Sequence, residues 1–442
     1  MLIVGNGKLV TRDENNTYLE DGAVAIEGAL IKETGVTAQV RAKYECADFI
    51  DAKGGLIMPG LINAHEHIYS AFARGAAIQT RTPKGFLDVL DDLWWRLDDN
   101  LNMDDIRYSA YWTFIDSIKN GVTTVFDHHA SFGCIEGSLF TISDVARELG
   151  IRACLCYEVS DRRGEEKMKE GVLENKAFIK AAKDDPLQKG MMGLHASFTL
   201  SDSTLDFARS HCPDYTGYHI HVAEGMADVY DALKKYGKRT IQRLHDEGIL
   251  GSRTVTGHCI HVSPLEMDII KETDTMVVHN PESNMGNAVG CPPTMEMMRR
   301  GILCGLGTDG YTNDMLESMK VTNMLHKHNL CDPACAWAEP PKMLFENNRT
   351  IVGRFFDTPV GVLAPGAAGD VVVMDYIPQT PMNGENINSH LLFGVNGRQT
   401  ITTIASGKVL MKDRKLLIAD EDAIMARSRE LAAALVARLP KK

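Results

Sequence analysis

The stretch Pro59-Gly60-Leu61-Ile62-Asn63-Ala64-His65-Glu66-His67 decides how this chain is read. Leu56 to Met58 are apolar, Pro59-Gly60 forces a turn, and Leu61-Ile62 enter a short buried strand that ends in two histidines. Side chains alternate across a strand with period two, so His65 and His67 project to the same side. Two imidazoles on one side of a strand end make half of a divalent metal site. The plain alternative is a pair of satisfied histidines near a surface. The same alternation turns Glu66 away from the pair, and the sequence names no partner for it.

The rest of the 442-residue chain reads as strands alternating with helices. Helical patterns run over Leu101 to Asn120, over the segment ending at Leu149-Gly150, and over Glu165 to Lys183. Strand patterns run over Val122 to Asp127, Ala153 to Tyr157, Met191 to His195, Gly217 to His221, Thr254 to His258, Thr275 to His279 and Ile302 to Asp309. With the strand at Leu61 that makes eight βα units, the signature of an α/β (β/α)8 TIM barrel of roughly 250 residues or more. Both chain ends carry short β-prone pieces, among them Gly22 to Ile26, Gly369 to Asp375 and Thr400 to Leu410. These predict a small β-sandwich built from residues 1–55 and 363–442 around a barrel at 56–362. Glu421 to Leu439 is expected to close the chain as an amphipathic helix, with Asp420 as N-cap and Ile424, Leu431, Leu435 and Leu439 on one face.

Composition excludes several classes. The net charge is −12 and basic residues cluster only in pairs, which argues against a nucleic-acid-binding surface. No stretch approaches the roughly 18 apolar residues of a membrane span. The ten cysteines are scattered without a Cys-x-x-Cys pair, and the first residues lack the pattern of an export signal. A cytoplasmic protein with reduced thiols is expected.

Catalytic groups of such barrels sit where strands end. His65, His67, His195, His221, His258, His279 and Asp309 all fall there. His221 fits as a third imidazole ligand, and Glu224, three residues on, reaches toward a bound water or a substrate nitrogen. His219 reads as a packed neighbour. Asp309, before Gly310, is either a turn residue or the carboxylate that completes three histidines and takes a proton from the water. A divalent metal lowers the pKa of its bound water to roughly 7. His258 is placed to polarise the substrate or steady the attacking oxygen, and His195 to meet the substrate. Cys259 is a weak ligand candidate, and His261 reads as structural.

Taken in order, several motifs resemble the metal-dependent amidohydrolase superfamily in its deaminase and chlorohydrolase branch. They are Pro59 to His67, His221-Val222-Ala223-Glu224, Gly257-His258-Cys259, His279-Asn280-Pro281-x-Ser283-Asn284, Gly307-Thr308-Asp309-Gly310 and Leu363 to Asp370. Within that branch the chain is most similar to aminohydrolases linked with purine metabolism. The resemblance implies His65, His67, His221 and Asp309 as ligands of one divalent metal, zinc first, with iron(II) or manganese(II) as alternatives. It implies Glu224 and His258 as catalytic partners beside Asp309, His195 as a substrate contact, and a homodimer by analogy. Binuclear relatives carry a carboxylated lysine at the end of the fourth strand; His195-Ala196 stands there, so one metal is expected.

The function that follows is hydrolysis of a C–N bond in a nitrogen heterocycle by metal-activated water. Deamination of a purine-like or pyrimidine-like compound is favoured, ring opening of a cyclic amide or ureide is the alternative, and a non-catalytic binding or scaffold protein is the contrasting class. In the 75–100 segment, with Arg74 just before it, Gln79, Arg81, Trp94 and Trp95 lie where relatives cover their substrate. Trp94 and Trp95 read first as helix packing, and Arg162-Arg163 as a solvated turn.

Overall fold

The computed structural model describes residues 1–440 apart from 77 and 79; Gln79 therefore lies outside the described residues. Eight parallel strands carry the site: β1 (Leu61–Glu66), β2 (Val122–His129), β3 (Arg152–Tyr157), β4 (Met192–Ala196), β5 (Tyr218–Val222), β6 (Val255–His258), β7 (Met276–His279) and β8 (Cys304–Leu306). β1 to β3 pair in order, with a three-residue strand at Gln188–Gly190 added beside β3. β4 to β8 pair in order as a second sheet. Two single parallel bridges link the sheets, Val159 with Leu194 and Glu66 with Asp309.

The sequence explains the helices between them. Met103–Lys119 is capped by Asn102, whose side chain accepts from the Asp105 amide while Asp105 bonds back, a complete capping box. Ser138–Leu149 stops at Gly150, which adopts a left-handed φ of 75°. Glu421–Arg438 starts at Asp420, which accepts from the Ala423 amide. Its Leu431 and Leu435 are buried in the same core as Ile106 and Phe114, whereas Ile424 is only partly covered. The 86–98 segment is helical with a π turn at Leu90–Trp94.

Strands from both chain ends form one hydrogen-bonded sheet. Leu2–Val10 pairs with Tyr18–Glu27 and with Leu56–Pro59, and the last of these pairs antiparallel with Val371–Met374. Thr400–Ala405 and Lys408–Lys412 extend it. The short segment before Gly60 is thus held by the terminal sheet, and the chain crosses to the central strands at the Pro59-Gly60 turn. A buried ion pair spans that boundary, with Arg152 Nη1 2.5 Å from Asp370 Oδ2.

β1 departs from strict alternation. Against β2, Asn63 pairs with Val125 and Glu66 with Asp127, so β1 holds one extra residue there. This bulge brings Asn63 and Glu66 together, which period two alone would separate.

Candidate active site

At the C-terminal ends of the strands the imidazoles converge. His67 Nε2 lies 3.1 Å from His221 Nε2 and 3.2 Å from Asp309 Oδ1. His65 joins His67 and Asp309 in one group of potential ligands and His221 and His258 in another, each with its donor atoms within 4.8 Å of one another. Glu224, His258 and Asp309 form a third such group. His258 Nε2 is 3.4 Å from Asp309 Oδ2 and 3.7 Å from Glu224 Oε2.

Second bonds set the tautomers. His67 Nδ1 donates to the His128 carbonyl at 2.6 Å, and His221 Nδ1 to the His195 carbonyl at 2.9 Å. A carbonyl only accepts, so both rings carry the proton on Nδ1 and present an Nε2 lone pair to the centre. His65 Nδ1 is 2.8 Å from His219 Nε2, which makes His219 a supporting neighbour. His65 Nε2 is buried and has no hydrogen-bond partner.

These residues fit a cation. Two neutral Nε2 lone pairs 3.1 Å apart repel unless a positive charge lies between them. A zinc ion bonded at roughly 2.0–2.1 Å to tetrahedral donors holds those donors about 3.3 Å apart, close to the spacings found here. Burial and the neighbouring rings push the His65 imidazole well below its ordinary pKa, keeping it a neutral donor.

Local backbone aims the groups. His258 and Asp309 sit at φ of 68° and 55°, left-handed values that few residues hold without surrounding support. The amides of Thr308 and Asp309 both bond to the His65 carbonyl at 3.0 Å, which ties the end of β8 to β1. Gly307 makes that approach feasible, since a Cβ there would lie 2.8 Å from His65 Cβ.

The carboxylates differ in state. Burial works to raise the Asp309 carboxyl, but His67, His258, Ser283 Oγ at 2.7 Å and the Gly310 amide at 2.7 Å outweigh it and hold the group ionised below its usual range. Burial, with Asp309 nearby, pushes the Glu224 carboxyl well above the usual range, which favours its protonated form. His258 Nδ1 is 2.8 Å from Asn284 Oδ1, a bond that orients its ring.

A narrow cavity opens onto this centre, lined by His67, His195, His221, Glu224 and Asp309. Trp94 and Trp95 line it too, so the expectation of simple helix packing is corrected: the π turn carries both rings to the cavity wall. Arg162 is not a solvated turn residue. It pairs with buried Asp98 and lies 4.0 Å over the Phe132 ring, bracing the 86–98 helix.

Some nominated residues stay outside. His279 faces His326, with ring centroids 5.1 Å apart, and Cys259 turns its thiol to Thr256 Oγ1. Conversely, Glu158, His128 and Asn284 surround the centre without having been singled out for a role. Glu158 directly follows β3, so its strand-end position was the one available signal. His128 was concealed because β2 runs two residues further than its apolar pattern.

An α/β chain that presents three or four imidazoles and one carboxylate at its strand ends, with bare nitrogens converging, has the build of a metal-assisted hydrolase. This chain belongs to the amidohydrolase family, whose family model matches residues 56–410. It is 31% identical to a 5′-deoxyadenosine deaminase from Methanosarcina barkeri, over 99% of each chain. It is 27% identical to a 5-methylthioadenosine/S-adenosylhomocysteine deaminase from Syntrophomonas wolfei, over 99% of this chain and 100% of that one. Its fold is similar to that of an adenosine deaminase from Xanthomonas campestris with bound zinc, with a TM-score of 0.87 at 22% identity over 98% of both chains. Among the described residues no helix is long and apolar enough to cross a membrane.

Proposed function

We propose that this protein is an aminohydrolase that replaces an exocyclic amino group of a purine-like ring with oxygen and releases ammonia. The observation that carries the reading is the Glu224–His258–Asp309 group beside converging Nε2 lone pairs, with the Glu224 carboxyl raised by burial and that of Asp309 lowered by His67 and His258. The deaminase names of full-length relatives support it.

His65, His67, His221 and Asp309 would hold one divalent cation, zinc in the first instance. When bound, that cation acidifies a water molecule at neutral pH. Asp309 accepts a proton from the attacking water as its oxygen adds to the amino-bearing carbon. Glu224 gives its proton to the adjacent ring nitrogen, so no negative charge builds on the ring. His258, whose Nδ1 proton is held by Asn284 Oδ1, accepts a hydrogen bond at Nε2 from the incoming water and steadies its oxygen. Asp309 then passes its proton to the amino group, which leaves as ammonia, and the hydroxyl proton of the adduct restores Glu224. His195 contacts the ring from the β4 side.

In this reading β1 to β8 close as a (β/α)8 barrel within residues 56–362, and residues 1–55 and 363–442 make a β-sandwich beside it. The two single bridges between the sheets and the shared fold of the Xanthomonas enzyme support the barrel. A cytoplasmic homodimer belongs to the same reading, by family analogy.

The test is metal content and ammonia release measured together on purified protein. The panel holds purines, oxidised purines, adenine nucleosides, pyrimidines and cyclic ureides. Roughly one metal ion per chain and ammonia from a purine-like compound is the expected result. A product heavier by one water with no ammonia would replace the reading with a cyclic amidase. Glu224→Gln is expected to keep its metal and lose about 10²–10⁴-fold in rate; loss of metal would move Glu224 into the ligand set.

A further inference from the structure

Resting on that deaminase reading, we propose that Glu158 determines substrate choice by accepting ring N–H donors. The preferred substrate is then a purine-like ring with a lactam N–H beside the reacting carbon, rather than an adenine ring.

Glu158 is 3% exposed and lines the cavity. A carboxylate oxygen of Glu158 and ring nitrogens of His195 and His221 lie within 4.8 Å of one another, so Glu158 stands beside the metal-binding group itself. A substrate group that meets it therefore lies beside the metal-binding residues.

No protein donor reaches its carboxylate at close hydrogen-bond distance, although His195, His128 and Arg162 stand near enough to stabilise its charge. His128 Nδ1 is 3.5 Å from Oε2 and His195 Nε2 is 3.9 Å from Oε1, both beyond good hydrogen-bond length. Arg162, the neighbouring cation, is bound to Asp98 instead. Other buried carboxylates nearby are well served. Asp228 accepts from the Phe198 and Ala223 amides at 3.0 and 2.9 Å, and Asp309 from Ser283 and Gly310.

His195 strengthens the case. Its Nδ1 is 2.7 Å from Thr199 Oγ1, whose single proton goes to the Ala196 carbonyl at 3.0 Å. Nδ1 must then be the donor, which leaves a lone pair on Nε2 of the neutral ring, turned toward Glu158. Two acceptors thus stand side by side on this wall. In an adenine nucleoside the ring nitrogens are all acceptors, so none of them can pair with either residue. A ring with lactam N–H groups satisfies them.

The experiment compares guanine and 8-oxoguanine with adenosine and 5′-deoxyadenosine, in wild type and Glu158→Gln, with metal content and Tm recorded for each. We expect the lactam rings to lead in wild type. Glu158→Gln should lower their kcat/KM by about 100-fold or more, mainly through KM, at unchanged metal content. Should the variant misfold, wild type alone decides: methylating the lactam nitrogen is expected to depress kcat/KM by a similar factor. Adenine nucleosides leading in wild type, or equal values for methylated and unmethylated rings, would overturn the role of Glu158 and leave the deaminase reading standing. Ammonia from no compound at all would instead sink the deaminase reading.

Discussion

Two buried polar clusters flank β1, and they are completed in opposite ways. On one side Glu66 Oε2 accepts from Asn63 Nδ2 at 2.5 Å and Thr308 Oγ1 at 2.7 Å, while Oε1 accepts from Arg74 at 3.2 Å. On the other, His65, His67, His221 and His258 are each bonded or supported at Nδ1 and turn their Nε2 atoms to one centre, where His67 and His258 face Asp309. Neither His65 Nε2 nor His258 Nε2 has a hydrogen-bond partner. An unsatisfied buried polar atom costs about 1–3 kcal/mol, so it persists where a ligand completes it. The Glu66 cluster is finished as protein, whereas the histidine cluster is finished by something added. Residue type does not separate them, since both contain a carboxylate and several nitrogens. The supply of partners does.

The sharpest way to break this contrast is at Asp309. Asp309→Asn is expected to lower ammonia release by at least about 10³-fold, with part of the metal retained. Near-wild-type turnover would remove Asp309 from the proton path. A middle-sized effect is expected at Asn284, which bonds His258 but touches no reacting atom. Asn284→Leu should cost about 10–100-fold in kcat, with metal content and Tm close to wild type. An unchanged kcat would mean that His258 needs no orienting partner.

The smallest effect on catalysis belongs to the finished side. Burial raises the Glu66 carboxyl to about 8. With an unfolded-state value near 4.5, the unfolded chain binds fewer protons at this position between those two values. Glu66 therefore favours folding fully below pH about 4.5, and that contribution declines as pH rises toward about 8. Glu66→Gln should flatten the fall of Tm across this window and leave metal content and kcat within about 3-fold of wild type, as expected for a site off the reaction path. A steeper fall of Tm, or loss of metal, would show that the two sides of β1 are one site.

Local pattern carried much of this architecture. All eight strand segments are found where the apolar runs stand, because burial on both faces of a parallel strand leaves an unbroken apolar stretch; most of these runs end in His, Asp or Gly, and β3 ends in Tyr157. The helix over Met103–Lys119 and the capped C-terminal helix follow from 3.6-residue spacing and cap residues. His65, His67, His221, Glu224, His258 and Asp309 were conspicuous because polar residues closing apolar strands are few. What escaped did so for physical reasons. The bulge in β1 cancels strict alternation, and Trp94 and Trp95 reach the cavity through a π turn that no residue type announces.

The sequence by itself determined the order of strands and helices and the chemical groups offered at the strand ends, since periodicity, caps and turns act over a few residues. Only the tertiary structure decided which of those groups are completed by protein and which stay open. Asn63 meets Thr308 across 245 positions, and Arg152 meets Asp370 across 218. Hydrogen-bond partners so distant in the chain are chosen by how the strands pack, and that choice leaves His65 Nε2 bare, Glu66 satisfied and Glu158 facing the cavity.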